Sequence, residues 1–598
     1  MAWSYMLSGT VILVCIFTCA VCDGPYIETK LGTIKGKTNS VSFKDNKYNV
    51  DEYLGIPFAQ PPVGKLRFKV PKPTEPFTEP FEATKMGLDC VQQDYLSVGF
   101  RSTNEDCLYL NIYVPQGTVD RSGGRAVMVW IHGGGFSMGA GRYYPGEVLA
   151  AHGDVIVVTI NYRLGLYGFL NIGDERAPGN QGLFDQRLAL QWVKDNIQAF
   201  GGDTNSITIF GESAGGISVT AQSLYPPNRG LFQNAIAQSG SASMPFIGAA
   251  FDTMDSAKFV AEEFGCKTET TDDVFACLQD LTAAQFVDFA DDAKNDMQKM
   301  LKISFMPTTE GRFIKKAASD IIRNAKQTDT GEEVEFFREL NFMTGTNGQE
   351  GHLWLSFAVG SLDQELIDNV KITDEDIKTI WTPSMLGLTF IGQAIPEAVR
   401  DLVALEYTDW QNPTDARMQF VKLSSDVFFN IPGTEMGLMH ANSSNTRTFM
   451  YNFRPSLDQR LVPTPDWATQ ANHGDEIAPV FGYSLDYEFL YKKTGYRPPE
   501  WELDLSERMM TYWSNFAKFG NPNGDGVETW PEYNMDTLKS YVFDRTDSVE
   551  DRLYTREVKL LREIVPALLD ATKEHAHAEE SPFAKKSDES CDAEGKCG

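Results

Sequence analysis

The chain is poor in positive charge and in histidine. Among its 598 residues, 53 are Lys or Arg and 82 are Asp or Glu, which leaves a formal net charge of -29. A field of this sign repels phosphate backbones and anionic lipid, so nucleic acid and acidic membrane surfaces are not expected as partners. Because the chain has only 7 His, each histidine can be weighed singly as a candidate base.

Apolar runs long enough to span a membrane are also scarce. Residues 1–22 form an apolar run that ends in small residues, which is typical of a secretory signal peptide, although its start lacks Lys and Arg. A membrane anchor is the alternative, but the run is short for a span. P-loop and dinucleotide fingerprints are missing, so no cofactor is expected. No metal is expected either, because His575 and His577 are spaced loosely from the last two cysteines.

Cysteine is infrequent, and its distribution indicates an oxidising compartment. Cleavage after residue 22 would leave an even number of cysteines, which favours pairing, although buried free thiols are the alternative. The close spacings predict two disulfides, Cys90 with Cys107 and Cys266 with Cys277. Asn442-Ser-Ser is a sequon for N-glycosylation. These features predict a secreted, extracellular glycoprotein.

Three apolar runs indicate the fold class. AVMVWI (126–131), DVIVVTI (154–160) and SITIF (206–210) read as strands buried on both faces, which is typical of a parallel sheet covered by helices. Between the second and third runs, Phe184, Leu188 and Trp192 recur at helical spacing. We therefore predict an α/β fold with a mostly parallel central sheet, one large domain over residues 23–573 and a polar, disordered tail over 574–598.

A serine follows the third run on a tight corner. Gly211-Glu212-Ser213-Ala214-Gly215 has the G-x-S-x-G form between a strand and a helix, which is the setting of a nucleophile elbow. The flanking glycines permit a strained turn that exposes the hydroxyl above the sheet. An ordinary glycine-rich helix start is the alternative. The sequence thus predicts Ser213 as a nucleophile, which needs a base because a serine hydroxyl is weak at neutral pH.

Elimination among the histidines favours His473 as that base. It lies in a glycine-containing loop late in the chain, where the usual order of nucleophile, acid and base places it. A loop histidine bonded to the nearby Asp475 or Glu476 is the alternative. Glu350, at a predicted strand end between Ser213 and His473, is the candidate acid. Spacing alone leaves other carboxylates open in so acidic a chain.

A glycine run supplies a candidate oxyanion hole. His132-Gly-Gly-Gly135 follows a predicted strand and matches the HGGG motif, whose backbone N–H groups stabilise developing negative charge. The expected donors are the amides of Gly134, Gly135 and Ala214. A flexible glycine turn is the alternative.

These residues and several longer motifs resemble the type-B carboxylesterases, the cholinesterase-like branch of the α/β hydrolases. The resemblance covers about residues 25 to 565 and is carried by GESAGG (211–216), EDCLYLNIYVP (105–115), LGIPFAQPPVGKLRF (54–68), NQGLFDQRLALQWVKDNIQAFGGD (180–203) and YWSNFAKFGNPN (512–523). It implies a triad of Ser213, Glu350 and His473, with Glu350 in a G-x-N-x-x-E-G motif. Gln470 departs from the family, which often has glycine there.

The resemblance also implies structural pairs and a substrate range. It places the two disulfides on the pairs given above, and ion pairs on Arg67 with Glu105 and on Arg163 with Asp185. Cholinesterases hold choline on a tryptophan in the loop that corresponds to 90–107, and this loop has none. The acyl pocket would map to Phe246, Leu301 and Ile303. A wide apolar pocket is therefore expected, and the expected partner is a small-molecule, uncharged ester substrate.

Two other functions are considered. Juvenile hormone esterases share the motifs at Arg67-Phe68 and Asp185-Gln186 but typically have Gln where this chain has Glu212. Hydrolysis of isoprenoid methyl esters is therefore the second choice. Adhesion relatives of the neuroligin type keep the fold, but normally lack part of the triad and carry a membrane span. A general secreted carboxylesterase is the preferred interpretation.

Overall fold

The structure is a computed structural model. It describes residues 24–92, 103–118, 123–245, 247, 253–293, 299, 302–325, 331–359, 364–442, 446–462, 464–483 and 496–579. The predicted signal peptide and the last part of the predicted tail lie outside the described residues. Within those residues, no helix combines the length and the apolarity that crossing a membrane needs.

The strands of the described chain begin with a small N-terminal group and end with a hairpin. They are β1 Tyr26–Thr29, β2 Gly32–Lys35, β3 Lys37–Phe43, β4 Asn46–Pro57, β5 Phe81–Glu82, β6 Asp89–Cys90, β7 Thr103–Asn104, β8 Tyr109–Pro115, β9 Arg125–Ile131, β10 Ile156–Ile160, β11 Asn171–Asp174, β12 Ala177–Pro178, β13 Gly202–Glu212, β14 Asn234–Gln238, β15 Asn341–Asn347, β16 Thr448–Phe453, β17 Lys539–Phe543 and β18 Ser548–Asp551.

The helices lie mainly between the later strands. They are α1 Glu147–Gly153, α2 Gly165–Phe169, α3 Gln181–Asn196, α4 Ala214–Ser223, α5 Thr253–Glu263, α6 Thr271–Asp280, α7 Ala283–Ala293, α8 Ala318–Ala325, α9 Gly331–Phe337, α10 Leu353–Val359, α11 Gln364–Asp368, α12 Asp374–Asp376, α13 Thr382–Thr389, α14 Glu397–Glu406, α15 Arg417–Ser425, α16 Ile431–Ala441, α17 Ile477–Val480, α18 Glu500–Phe519, α19 Thr555–Lys559 and α20 Val565–Glu579. Within the described residues, three π-helical segments join consecutive helices without a break: Ile377–Trp381 joins α12 to α13, Asp426–Asn430 joins α15 to α16, and Leu560–Ile564 joins α19 to α20.

An 11-stranded sheet organises the fold, in the order β18-β17-β16-β15-β14-β13-β9-β10-β8-β4-β3. Its middle, from β10 through β9, β13, β14, β15 and β16 to β17, is parallel. Both edges are antiparallel. The α/β class with a mostly parallel centre is thereby confirmed. Because β13, β15 and β16 run in one direction, their carboxyl ends lie along the same edge of the sheet.

Side-chain alternation explains why the central strands are apolar throughout. Every residue of β9 is buried. Val127, Val129 and Ile131 pack into one hydrophobic cluster, while Met128 and Trp130 pack into a second. A period of two therefore buries opposite faces of the strand under separate layers.

The C-terminal helix extends into the predicted tail. α20 continues to Glu579, past the boundary expected at residue 573. The segment ATKEHAHAE (571–579) is rich in Ala and Glu, which have high intrinsic helix propensity even where few apolar residues are present. The disorder of the rest of the tail stays a prediction.

Candidate active site

Ser213 occupies a strained corner between β13 and α4. Its backbone angles are φ 58° and ψ -122°, a conformation that residues other than glycine rarely adopt. A Cβ atom at Gly211 would lie 2.5 Å from the carbonyl oxygen of Ile131, and one at Gly215 would collide with the same oxygen. The two glycines of the motif are therefore required by the close approach of β9, and they leave Ser213 partly exposed.

His473 and Glu350 form a buried pair beside this edge. Glu350 begins the short 3-10 turn Glu350–His352 after β15, and His473 lies in the loop that follows β16. Nδ1 of His473 lies 2.6 Å from Oε2 of Glu350, while Oε1 of Glu350 accepts the amide of Asn347 at 2.7 Å. A proton on Nδ1 that is donated to Glu350 leaves the lone pair on Nε2 of His473.

Nε2 of His473 is directed towards the elbow. Oε1 of Glu212, the residue before Ser213, lies 3.1 Å from Nε2, and no hydrogen-bond partner for it is found among the described residues. Burial raises the pKa of Glu212 to about 8, against the opposing charge of His473. Burial lowers the pKa of His473, but Glu212 and Glu350 more than compensate, and its pKa rises to about 9. The ring also packs on Phe429 of the π-helical segment that precedes α16, with centroids 4.6 Å apart.

The two acids that follow His473 in its own loop have other partners. Asp475 accepts the amide of Asn472 at 2.7 Å, and Nε of Arg460 lies 4.0 Å from it. Glu476 accepts from Asn347 at 2.6 Å and from Gln238 at 3.2 Å. Burial raises the pKa of each carboxyl to about 7. The carboxylate bonded to His473 is therefore Glu350 and not a neighbour in sequence.

The glycine loop after β9 lies against the elbow. A Cβ atom at Gly133 would come within 2.6 Å of Oε2 of Glu212, and one at Gly135 would meet no atom within 4 Å. Ala214 is the first residue of α4, so its N–H has no carbonyl partner within the helix. His132 is buried and donates from Nδ1 to the Gly133 carbonyl at 2.8 Å. Burial lowers its pKa to about 4, so it remains neutral and fixes the loop.

The structural pairs expected from the resemblance are present. Cys90 bonds Cys107 and Cys266 bonds Cys277. The ion pairs also form, between Arg67 and Glu105 and between Arg163 and Asp185. Arg67 additionally donates to the carbonyls of Gln279 and Leu281 at 2.7 and 2.8 Å, which ties the first disulfide loop to the chain beyond the second.

The expected acyl-pocket residues are only partly described. Phe246 and Leu301 lie outside the described residues, and Ile303 is buried in the larger hydrophobic cluster. Asn442 is exposed at the end of α16, as an acceptor for glycan must be. The acyl pocket and the glycosylation remain predictions.

Sequence reasoning missed Gln349 and His352, two residues next to Glu350 in the chain that help to connect its turn to the loop of His473. Gln349 bonds to Thr469 and Gln470, and His352 bonds to Gln349. Gln470 fits in place of the usual glycine because Gly348 faces it, and a Cβ atom at Gly348 would meet the Gln470 side chain. The only feature of the local sequence that could have pointed to Gln349 is that its amide side chain stands directly before the candidate acid.

A parallel sheet with a serine elbow, and an acid–histidine pair after the next strands, defines an α/β hydrolase. The sequence profile of the Carboxylesterase family matches residues 23–561. Carboxylesterase 1E of Rattus norvegicus is 34% identical over 567 residues, which cover 90% of this chain and 94% of the relative. Liver carboxylesterase of Sus scrofa is 35% identical, covering 86% and 88%, and carboxylesterase 3 of Homo sapiens is 34% identical, covering 86% of both. The chain belongs to the carboxylesterase family and is a carboxylic ester hydrolase.

Proposed function

We propose that this chain hydrolyses uncharged, apolar esters through a covalent acyl-enzyme, with Ser213 as nucleophile, His473 as base and Glu350 as the orienting acid. The observation that carries the proposal is the 2.6 Å contact between His473 and Glu350, formed at the edge of the sheet where the elbow presents Ser213. A serine hydroxyl, an oriented imidazole and the amides of a glycine loop in one place support acyl transfer.

The reaction takes two steps of the same kind. His473 takes the proton of Ser213 at Nε2 as the hydroxyl oxygen attacks the ester carbonyl. The oxyanion accepts hydrogen bonds from the amides of Gly134, Gly135 and Ala214. His473 then protonates the leaving alcohol. Water repeats the sequence on the acyl-enzyme, releasing the acid and restoring Ser213.

Glu350 and Glu212 have different parts in this scheme. Glu350 holds the Nδ1–H tautomer and stabilises the imidazolium that forms when Ser213 is deprotonated. Glu212 lies on the Nε2 side, where its charge favours the protonated ring and so opposes its use as a base. Its raised pKa limits that effect, because a neutral carboxyl exerts no such pull.

The substrate range follows from the composition of two segments. The 90–107 loop has no tryptophan to hold a quaternary ammonium. Leu301 and Ile303 are aliphatic, which supports room for acyl groups larger than acetyl. Secretion is part of the proposal and is supported by the N-terminal apolar segment, the disulfides and the exposed Asn442 sequon.

Labelling with a fluorophosphonate tests the nucleophile directly. Ser213→Ala should abolish labelling and reduce turnover of a neutral short-chain ester by at least about 10³-fold, because no other hydroxyl stands on the elbow. Ser218→Ala, one turn along α4, is the matched control and should keep both signals. Circular dichroism should match the parent chain for each variant. Near-normal hydrolysis by folded Ser213→Ala protein would overturn the proposal.

A further inference from the structure

Gln349 connects the acid turn to the loop that carries the histidine. It directly precedes Glu350 and is 8% exposed. Its Oε1 accepts the amides of Thr469 and Gln470 at 3.1 and 3.0 Å. Its Nε2 donates to the Thr469 hydroxyl at 2.9 Å, and its own amide donates to the carbonyl of Ala471 at the same distance. One residue thus bonds to each of the positions 469, 470 and 471.

His352 fixes the orientation of this amide. Its Nε2 lies 3.1 Å from Oε1 of Gln349, which is an acceptor only, so Nε2 carries the proton. His352 is buried and packs against Trp467, with ring centroids 5.1 Å apart. With Nε2–H donating to Oε1, the amide nitrogen of Gln349 is left facing Thr469.

We propose that Gln349 is a positioning residue, which holds the loop before His473 so that the histidine keeps its bond to Glu350. This inference rests on the proposed function. Glu350 and His473 are 123 residues apart in the chain, so their contact depends on how the two loops are held together. Gln349 directly precedes Glu350, and its bonds reach positions two to four residues before His473.

Loss of the side-chain bonds to positions 469 and 470 has a defined effect on the reaction, although the backbone bond to Ala471 is kept. A loop shift of about 1 Å at the base costs on the order of 10²-fold in turnover. Gln349 contacts neither the elbow nor the glycine loop through the bonds described, so substrate binding should change little. The loss should therefore fall on kcat and leave KM within about threefold.

The pH profile separates positioning from mere stability. His473 is faced by the carboxyls of Glu350, Glu212 and Glu476, and by the ring of Phe429. If the bond to Glu350 loosens, His473 loses one of the charges that favour its protonated form. The acid limb of the kcat profile should then move to lower pH, which a general loss of stability does not produce.

The test compares Gln349→Met with Gln222→Met. Gln222 is also buried and bonds to Leu183, Gln186 and Asn228, so its loss has a similar cost in packing. Gln349→Met should lower kcat by on the order of 10²-fold and shift the acid limb downwards, while Gln222→Met changes neither. Equal kcat losses in both variants, or an unmoved acid limb, would overturn the inference.

Two further variants keep the outcome decisive. If Gln349→Met does not fold, Thr469→Val decides, because Thr469 is exposed and only one hydrogen bond is lost. It should lower kcat by about threefold with a downward shift of the acid limb, and an unchanged profile would refute the inference. Ser213→Ala separates the two levels: activity in that variant refutes the proposed function, whereas normal Gln349→Met beside inactive Ser213→Ala refutes only the positioning.

Discussion

Replacing Glu212 by Gln should move the pH dependence of catalysis downwards. The change keeps the shape of a buried side chain and removes its charge, which lies 3.1 Å from Nε2 of His473. At that distance the attraction between unit charges is about 1.3 kcal/mol at the dielectric constant of water and ~5 kcal/mol at an effective value of 20. Since one pKa unit corresponds to about 1.36 kcal/mol, removing this charge should lower the pKa of His473 by roughly 1 to 4 units.

The full charge of Glu212 is removed at the relevant pH, because its carboxyl, with a pKa of about 8, is mostly ionised near pH 9, where His473 titrates. The acid limb of kcat/KM reports the free enzyme's base and should fall by at least about 1 pH unit. The free energy of unfolding of the Glu212→Gln variant should also change, because part of the stability that protonated His473 contributes is lost with the charge of Glu212. The raised pKa of His473 contributes stability fully below its unfolded value of about 6.5, and this contribution is lost as the pH rises through about 9.

The assay is kcat/KM for a neutral ester from about pH 5 to about pH 10, a range that covers both groups. Glu502→Gln is the matched control, since that buried carboxyl accepts from Tyr483 and Tyr496 away from His473. Its profile should follow the parent chain. An acid limb that stays in place or rises in Glu212→Gln would refute the electrostatic reasoning.

Three further outcomes are expected. Gly215→Ala should lower the free energy of unfolding by about 3 kcal/mol or more, because the new Cβ would collide with the Ile131 carbonyl. Gly387→Ala is the control, since Gly387 lies in a helix with open space around it. Equal melting temperatures of the two variants would contradict the packing argument. Replacing Cys266 and Cys277 together by Ser should lower the free energy of unfolding by about 3 kcal/mol, from the loop entropy of a separation of 11 residues; an unchanged denaturation midpoint would argue against it. At raised salt, kcat/KM should rise up to about fourfold per added acyl methylene, because burying each methylene contributes about 0.8 kcal/mol. A preference for acetylcholine would overturn the pocket assignment.

The parts of the site that depend on local sequence could be predicted. The elbow at Ser213 and the glycine loop after His132 are set by residues adjacent in the chain, and their strand and helix contexts are visible as apolar runs. Elimination favours His473 as the candidate base because the chain has few histidines. The acid was harder, since many carboxylates lie between Ser213 and His473, and only the family resemblance favoured Glu350 over them.

The remaining features depend on contacts between distant segments. The approach of Glu212 to His473 joins the end of β13 to a loop more than two hundred residues later, and no periodicity reports it. Asp475 and Glu476 were considered as partners of His473, but the fold turns them to Arg460, Asn347 and other groups instead. The bonds of Gln349 likewise require both loops to be in place.

The order of the central strands has a consequence for how this protein can change over evolutionary time. Between β14 and β15, and again between β15 and β16, the chain leaves the sheet for long helical excursions before it returns. Ile303 belongs to the first excursion, whereas Ser213 and Glu350 are held by strand ends. If Ile303 lines the proposed acyl pocket, then insertions, deletions and exchanged segments in the excursions alter which acids are accepted, while the groups held by the strand ends keep their spacing.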